Sequence, residues 1–235
     1  MILHCSFVLQ TNPDSKASQS ILQKLSSYLE LPVLFERPYI THVISVSLMN
    51  AGFFVPYIHL VALGRQVGFS EYKAAFLVSG AGITDIVGRI FSGWFTDLRY
   101  FRMIHVLTAW AILLGVSIML IPLSTLAGSY NVVMVSSLLY GFCSGALTAL
   151  PFAFVPQIVG LGRVLGALGL LQMIESGAGL FGTPLSGYLQ DITGTYTVSF
   201  VVAGSFLLLS SLALASQPHF FSRTDPPPPE PRPLR

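Results

Sequence analysis

The sequence predicts an all-α membrane protein of six transmembrane helices, and three observations carry that prediction. Apolar residues make up 53% of the 235 residues and charged residues only 9%, against about 25% charge in an ordinary soluble domain. The mean hydropathy is strongly positive, at +0.71. Six separate stretches are long and apolar enough to cross a hydrocarbon core about 30 Å thick, which takes about 20 helical residues.

The first span covers about 40–63 and carries His42 and His59 near its two ends. Either histidine can titrate near neutral pH, or both are ordinary polar boundaries at the interface. Gly64–Glu71 then turns the chain into the second span, about 73–96, and Asp97–Arg102 into the third, about 103–125. Ser124–Tyr130 leads to the fourth at about 130–152, Pro156–Arg163 to the fifth at about 163–187, and Asp191–Thr195 to the sixth at about 196–216. Each connection holds turn-forming or interfacial residues, and loops this short make consecutive spans antiparallel.

Residues 1–37 read as a cytosolic linker with a short amphipathic helix, since Ile21, Leu25, Tyr28 and Leu29 fall on one helical face; an unstructured loop with scattered leucines is the alternative. Residues 217–235 read as a disordered proline-rich cytosolic tail with polyproline II character. Within it, Arg223, Pro226 and Pro229 match the loose spacing of an SH3 ligand. Cys5 and Cys143 are too far apart in sequence, and Cys143 too deep in a span, to suggest a disulfide framework.

Counting basic residues by side sets the expected orientation. With the N-terminus in the cytosol, Lys16, Lys24, Arg37, Arg99, Arg102, Arg163, Arg223, Arg232 and Arg235 lie inside, against Arg65 and Lys73 outside. The positive-inside bias then places both termini in the cytosol. A net charge of +2 spread this thinly gives no nucleic-acid-binding surface. No Walker loop, zinc spacing or Ser/His/Asp order is present, so neither metal nor cofactor is expected and an intramembrane enzyme has no nucleophile to use.

Charges inside the spans are the candidates for function. Asp85 and Arg89 stand at i, i+4 in the second span, acid before base, the favourable order for a pair on one helix face. A charge at bilayer depth costs at least about 2.5–3.5 kcal/mol on insertion scales, so such residues are usually paired and on a substrate or proton path. A carboxylate entering from outside can take Arg89 by a two-pronged hydrogen bond. Asp85, deprived of its counterion, would then pick up a proton, giving one-to-one electroneutral coupling. The alternative is a structural ion pair between helices. Glu175 is the third such charge, with Gln172 one turn earlier, in a stretch rich in glycine that also contains Pro184. It reads as a second proton site or a gate, or as a protonated glutamate bonded between helices.

The run Ala75-Phe-Leu-Val-Ser-Gly-Ala-Gly-Ile-Thr-Asp85-Ile-Val-Gly-Arg89 resembles the eighth helix of the monocarboxylate transporter family, within the major facilitator superfamily. Phe53-Phe-Val-Pro56 and Gly182-Thr-Pro-Leu-Ser-Gly187-Tyr-Leu-Gln-Asp191-Ile-Thr-Gly194 are similar to the same family, and the resemblance covers roughly residues 38–216. It implies the C-terminal six-helix bundle of a major facilitator fold, with Arg89 as the carboxylate-binding arginine and Asp85 as the proton-handling aspartate. Phe54 and Thr148 fall where that family lines its cavity. Ser144 takes a place where well-known lactate carriers have a bulky aromatic, so the resemblance implies room for a larger or different acid. Gly93, Asp97 and Arg102 resemble a degraded copy of the superfamily's Gly-x-x-x-Asp loop, with a structural role in locking helix ends.

Members of that family have twelve helices in two bundles, with an essential lysine on the first helix, and this chain begins just before the seventh. The expectation is therefore the C-terminal half of a proton-coupled carrier for small monocarboxylates of the lactate and pyruvate kind, in the plasma membrane. It would need an N-terminal six-helix bundle or a dimer partner, with a single-span chaperone as a further possible companion in this family. The competing expectation is a truncated, non-transporting form that associates with a full-length carrier and regulates it.

Overall fold

The computed structural model describes residues 31–98 and 101–216. The expected amphipathic helix around Ile21–Leu29, the proline-rich tail and Arg99 lie outside the described residues. Among the described residues the regular structure is eight α-helices and two short 3-10 turns, Leu31–Phe35 and Leu161–Arg163. The helices are α1 (Arg37–Phe53), α2 (Val55–Gln66), α3 (Glu71–Asp97), α4 (Met103–Thr125), α5 (Tyr130–Thr148), α6 (Leu150–Val159), α7 (Val164–Thr193) and α8 (Tyr196–Ser216). They make six segments long and apolar enough to cross a membrane, with α1 and α2 forming the first and α5 and α6 the fourth. The protein is a multi-pass membrane protein.

The first and fourth spans are thus broken where hydropathy reads them as continuous. Pro56 near the start of α2 and Pro151 near the start of α6 have no N–H to give to the preceding turn, so the hydrogen-bond ladder stops at Phe54 and at Ala149. The carbonyl of Phe53, at the first break, is taken instead by the Tyr140 hydroxyl at 3.0 Å. The fifth span differs in the other direction. It runs to Thr193 rather than stopping at 187, because the residue able to end it in the left-handed conformation is Gly194 (φ 69°), whose N–H returns to the Gln190 carbonyl at 2.8 Å.

Helix packing puts α3 against α5, α5 against α4, α4 against α8 and α8 against α1, while α1 also packs on α7. The first span is central, and polar links tie it to its neighbours: Tyr39 donates to the Ala167 carbonyl on α7 at 2.7 Å, and Ser210 on α8 donates to the Ser45 carbonyl at 2.7 Å. Small residues permit the closest approaches. A Cβ on Gly182 would strike the Ala51 backbone, and one on Gly141, Gly145 or Gly88 would strike backbone across the α3–α5 seam. Elsewhere in the glycine-rich fifth span, Gly169, Gly177 and Gly187 have open space around them within this chain, as does Gly162 in the turn before it. Coverage by the rest of the bundle is lowest for α7 and α3, where 22% and 33% of the most apolar stretch is buried.

At one end of the bundle Arg163 Nη1 meets Glu36 Oε1 at 2.6 Å, tying the start of the fifth span to the start of the first. Both side chains are about two-fifths exposed, so the pair should contribute little. Arg163→Gln is expected to cost under about 1 kcal/mol in a thermal unfolding measurement; a much larger loss would mean that the pair is screened from water.

Candidate functional site

Asp85 sits in mid-α3 and faces α2 and α5. It is 8% exposed, and the reason it can be buried is a complete set of partners. Arg89, one turn on, donates from Nε to Asp85 Oδ2 at 2.8 Å. The Tyr57 hydroxyl and the Ser144 hydroxyl each lie 3.2 Å from Oδ1, and they lie 3.4 Å from one another. Three donors from three spans therefore converge on one carboxylate. Tyr57 is held in turn by an edge-on contact with Tyr140, ring centroids 5.2 Å apart. Since Tyr140 also secures the Phe53 carbonyl at the helix break, the break and the carboxylate share one support.

Arg89 is the open side of this group. Its side chain is 54% exposed, and only its Nε–H is engaged, among the described residues. Both terminal amino groups of the guanidinium are left to present a planar fork to an incoming carboxylate or phosphate. Ser144 is completely buried and its hydroxyl points at Asp85, so the space beside its small side chain is occupied by Tyr57 and Asp85. Its contribution here is to hold the carboxylate.

A separate cavity of about 810 Å³ opens between α1, α2, α5, α6 and α7. Phe54, Thr148 and Glu175 are among the residues that line it. Both helix breaks border it, through Phe54 and Pro151. Discontinuous helices are tolerated in a membrane where the freed backbone faces protein or a cavity. Glu175 is 5% exposed; Gln172 Nε2 donates to its Oε1 at 2.8 Å, and Asn50 Nδ2 donates to its main-chain carbonyl at 3.2 Å. The cavity and the ion pair are adjacent through α5, because Thr148 stands one turn, about 6 Å, beyond Ser144.

The expected structural residues are placed differently from a loop. Gly93 and Asp97 belong to the last turns of α3, which runs to Asp97, and Arg102 caps the start of α4. Gly93 has open space about it within this chain. The histidines take local roles: His42 is buried with Nε2 3.1 Å from the Pro151 carbonyl, and His59 Nε2 is 2.8 Å from Ser186 Oγ. Among the described residues no three His, Cys, Asp or Glu side chains come together to hold a metal ion.

Sequence reasoning misses Tyr57, Tyr140 and Asn50. Each is a polar side chain within an apolar span, which is the available signal, but their partners lie on other spans.

The family model described as Major Facilitator Superfamily matches residues 7–235. The chain belongs to the major facilitator superfamily. Within it, the chain is 47% identical over 190 residues to monocarboxylate transporter 13 of Rattus norvegicus, covering 81% of this chain and 44% of that protein. It is 31% identical over 194 residues to monocarboxylate transporter 11 of Homo sapiens (81% and 41%) and 30% identical over 201 residues to human monocarboxylate transporter 2 (85% and 41%). The chain thus spans less than half the length of these curated relatives. Among solved structures, the E. coli fucose:proton symporter FucP superposes with a TM-score of 0.68 over 80% of this chain and 45% of that one, at 15% identity. That likeness establishes the fold of this superfamily member. The relatives it matches are named as transporters, not enzymes.

Proposed function

We propose that the chain is the C-terminal half of a proton-coupled monocarboxylate carrier of the lactate and pyruvate kind, with Arg89 binding the carboxylate and Asp85 carrying the proton. The observation that supports this most directly is the half-used guanidinium: Arg89 neutralises Asp85 through Nε and keeps its two-pronged face open. When a substrate carboxylate occupies that face, two anions share one cation. A proton on Asp85 relieves the excess negative charge, and the loaded bundle is electroneutral. Loss of the substrate restores the full claim of Arg89 on Asp85 and expels the proton. Glu175 is a second group able to exchange a proton with the cavity, and Phe54 and Thr148 shape its wall.

In this reading an N-terminal six-helix bundle, or a second copy, covers the sparsely buried faces of α3 and α7, and rocking between bundles gives alternating access. Both termini are cytosolic and the membrane is the plasma membrane; a single-span chaperone is a further proposed companion. The same bare faces support a second reading, in which the chain is a non-transporting form that docks on a full-length carrier and regulates it. Uptake of labelled lactate and pyruvate, at external pH of about 6 and about 7.5, by cells expressing the chain with and without an N-terminal bundle separates these. The carrier reading expects uptake that rises at acid pH once the partner bundle is present. Uptake unchanged by this chain, together with inhibition of a co-expressed full-length carrier, would replace it by the second reading.

Tyr57→Phe provides a sharper test of the site. It removes one donor from Asp85 while leaving the ring packed on Tyr140 and the Ser144 bond in place. A hydrogen bond to a charged group is worth about 1.5–3 kcal/mol, so uptake should fall roughly tenfold or more with normal surface expression. Unaltered kinetics would show that Tyr57 has no part in the cycle.

A further inference from the structure

Two hydrogen bonds cross between the first and fourth spans, and each ends on a main-chain carbonyl at a helix break. Tyr140, on α5, donates to the Phe53 carbonyl at the end of α1. His42, on α1, has Nε2 3.1 Å from the Pro151 carbonyl in the first turn of α6. A carbonyl only accepts, so Nε2 carries the proton and Nδ1 is a bare acceptor. The imidazole sits edge-on against Phe154, centroids 5.3 Å apart, but Nδ1 is buried with no hydrogen-bond partner among the described residues. An orphaned buried nitrogen costs free energy, so the Pro151 bond is the one polar return on burying this ring.

The two bonds are in register. They leave α1 at 42 and 53 and meet the fourth span at 151 and 140, eleven positions apart on each side, as rungs between antiparallel spans. Eleven residues make about three turns, so both rungs join one face of α1, about 16 Å apart along it. α1 is continuous from Arg37 to Phe53, whereas the fourth span breaks at Ala149, between its two rungs. One rung thus holds α5, the other holds α6, and a single unbroken helix joins them. α1 and α5 are not a closely packed pair, so the long Tyr140 side chain makes the link. Met49, Phe53, Thr148 and Pro151, which line the cavity, stand at or between the rungs, while His42 and Tyr140 do not line it.

We propose that α1 is a splint across the break in the fourth span, with His42 and Tyr140 as positioning residues whose two rungs fix the angle between α5 and α6 and so the width of the cavity. Bending at Ala149 changes the separation of residues 140 and 151, and an unbroken α1 cannot follow, so one rung has to open. The His42 rung is the one to open, because its release takes Nδ1 out of a setting that offers it no donor. The splint stands in either reading of the function, since it does not depend on what the cavity holds.

Hydrogen–deuterium exchange on the purified full chain in lipid nanodiscs tests this at two places: the amides of Phe152 to Val155 in α6, and those of Tyr57 and Ile58 beyond the first break. Tyr140→Phe removes one hydroxyl and leaves the ring on Tyr57. A merely local role would speed exchange at Tyr57 and Ile58 alone. The splint also speeds it at Phe152 to Val155, by about three- to tenfold, the scale of one neutral hydrogen bond. His42→Phe keeps an aromatic ring beside Phe154 and should give the same rise in α6, whereas His42→Gln keeps a side-chain N–H donor for Pro151 and should stay near the parent. The Tyr140→Phe/His42→Phe double variant should exchange in α6 no faster than either single variant, because one remaining rung braces nothing. Unchanged exchange in α8 is the folding control, and Tyr140→Phe alone decides the matter if His42→Phe does not fold. Parent-like exchange at Phe152 to Val155 in Tyr140→Phe, or additive effects in the double variant, overturns the splint and leaves two independent bonds. Exchange in His42→Gln as fast as in His42→Phe overturns the His42 rung.

Discussion

Arg89→Ala is expected to abolish carboxylate uptake at every pH in a carrier that contains this bundle, with the protein still reaching the membrane. The guanidinium supplies a cationic fork beside the buried acid, half-exposed and ready for a carboxylate, and each hydrogen bond lost to a charged group costs about 1.5–3 kcal/mol; even about 3 kcal/mol is roughly a hundredfold in binding. Folding should survive because Asp85 keeps the Tyr57 and Ser144 hydroxyls as hydrogen-bond donors. Arg89→Lys discriminates charge from shape: it restores the charge without the planar fork, so its uptake should lie between the parent and the alanine variant. Asp85→Asn should give a different phenotype. It leaves Arg89 free to bind acid yet removes the proton carrier, so exchange of labelled for unlabelled substrate persists while net uptake and its stimulation at acid pH are lost. Normal, acid-stimulated net uptake by Asp85→Asn would sink the coupling scheme, and near-normal uptake by Arg89→Ala would sink the binding assignment.

The parts of this site that can be read from sequence are those set by a single helix. Asp85 with Arg89, and Gln172 with Glu175, are local pairs whose meeting follows from helical periodicity, and both meet at 2.8 Å. The six spans are legible for the same kind of reason, since the bilayer requires a run of apolar residues whatever the tertiary structure. What escapes is everything that depends on how spans meet. Tyr57 reaches Asp85 from 28 positions away, and Tyr140 reaches Phe53 from 87; nothing in either local sequence names the partner. The two helix breaks stay hidden because Pro56 and Pro151 sit within runs apolar enough to cross unbroken, and hydropathy is blind to a lost N–H. Ser144 shows the opposite limit: its small size alone suggests open space, and only packing shows that Tyr57 and Asp85 fill it.

The tightest constraint on the site carries no functional group at all, and so Gly145 should tolerate replacement worst. A Cβ there would overlap the carbonyl oxygen of Asp85, with the Asp85 Cα also inside normal contact distance. The obstacle is main chain, so no rotamer change relieves it; α3 and α5 must separate at the level where Ser144 and Tyr57 grip the carboxylate. Gly141 and Gly88, packed in the same way against Ala81 and Phe142, resist that separation above and below. Overpacking of this kind costs about 1–3 kcal/mol for a methyl group. Gly145→Ala should therefore lower the melting temperature and reduce uptake at least tenfold, on the order set by pulling a hydrogen bond to a charge out of range, and Gly145→Leu should fail to accumulate as folded protein. Gly93→Ala is the matched control, on α3 with open space around it within this chain; it should leave thermal stability of the bundle unchanged. If Gly145→Ala and Gly93→Ala proved equally mild, α3 and α5 would have slack at Asp85, and the geometry of the carboxylate could not be what the seam of small residues is there to hold.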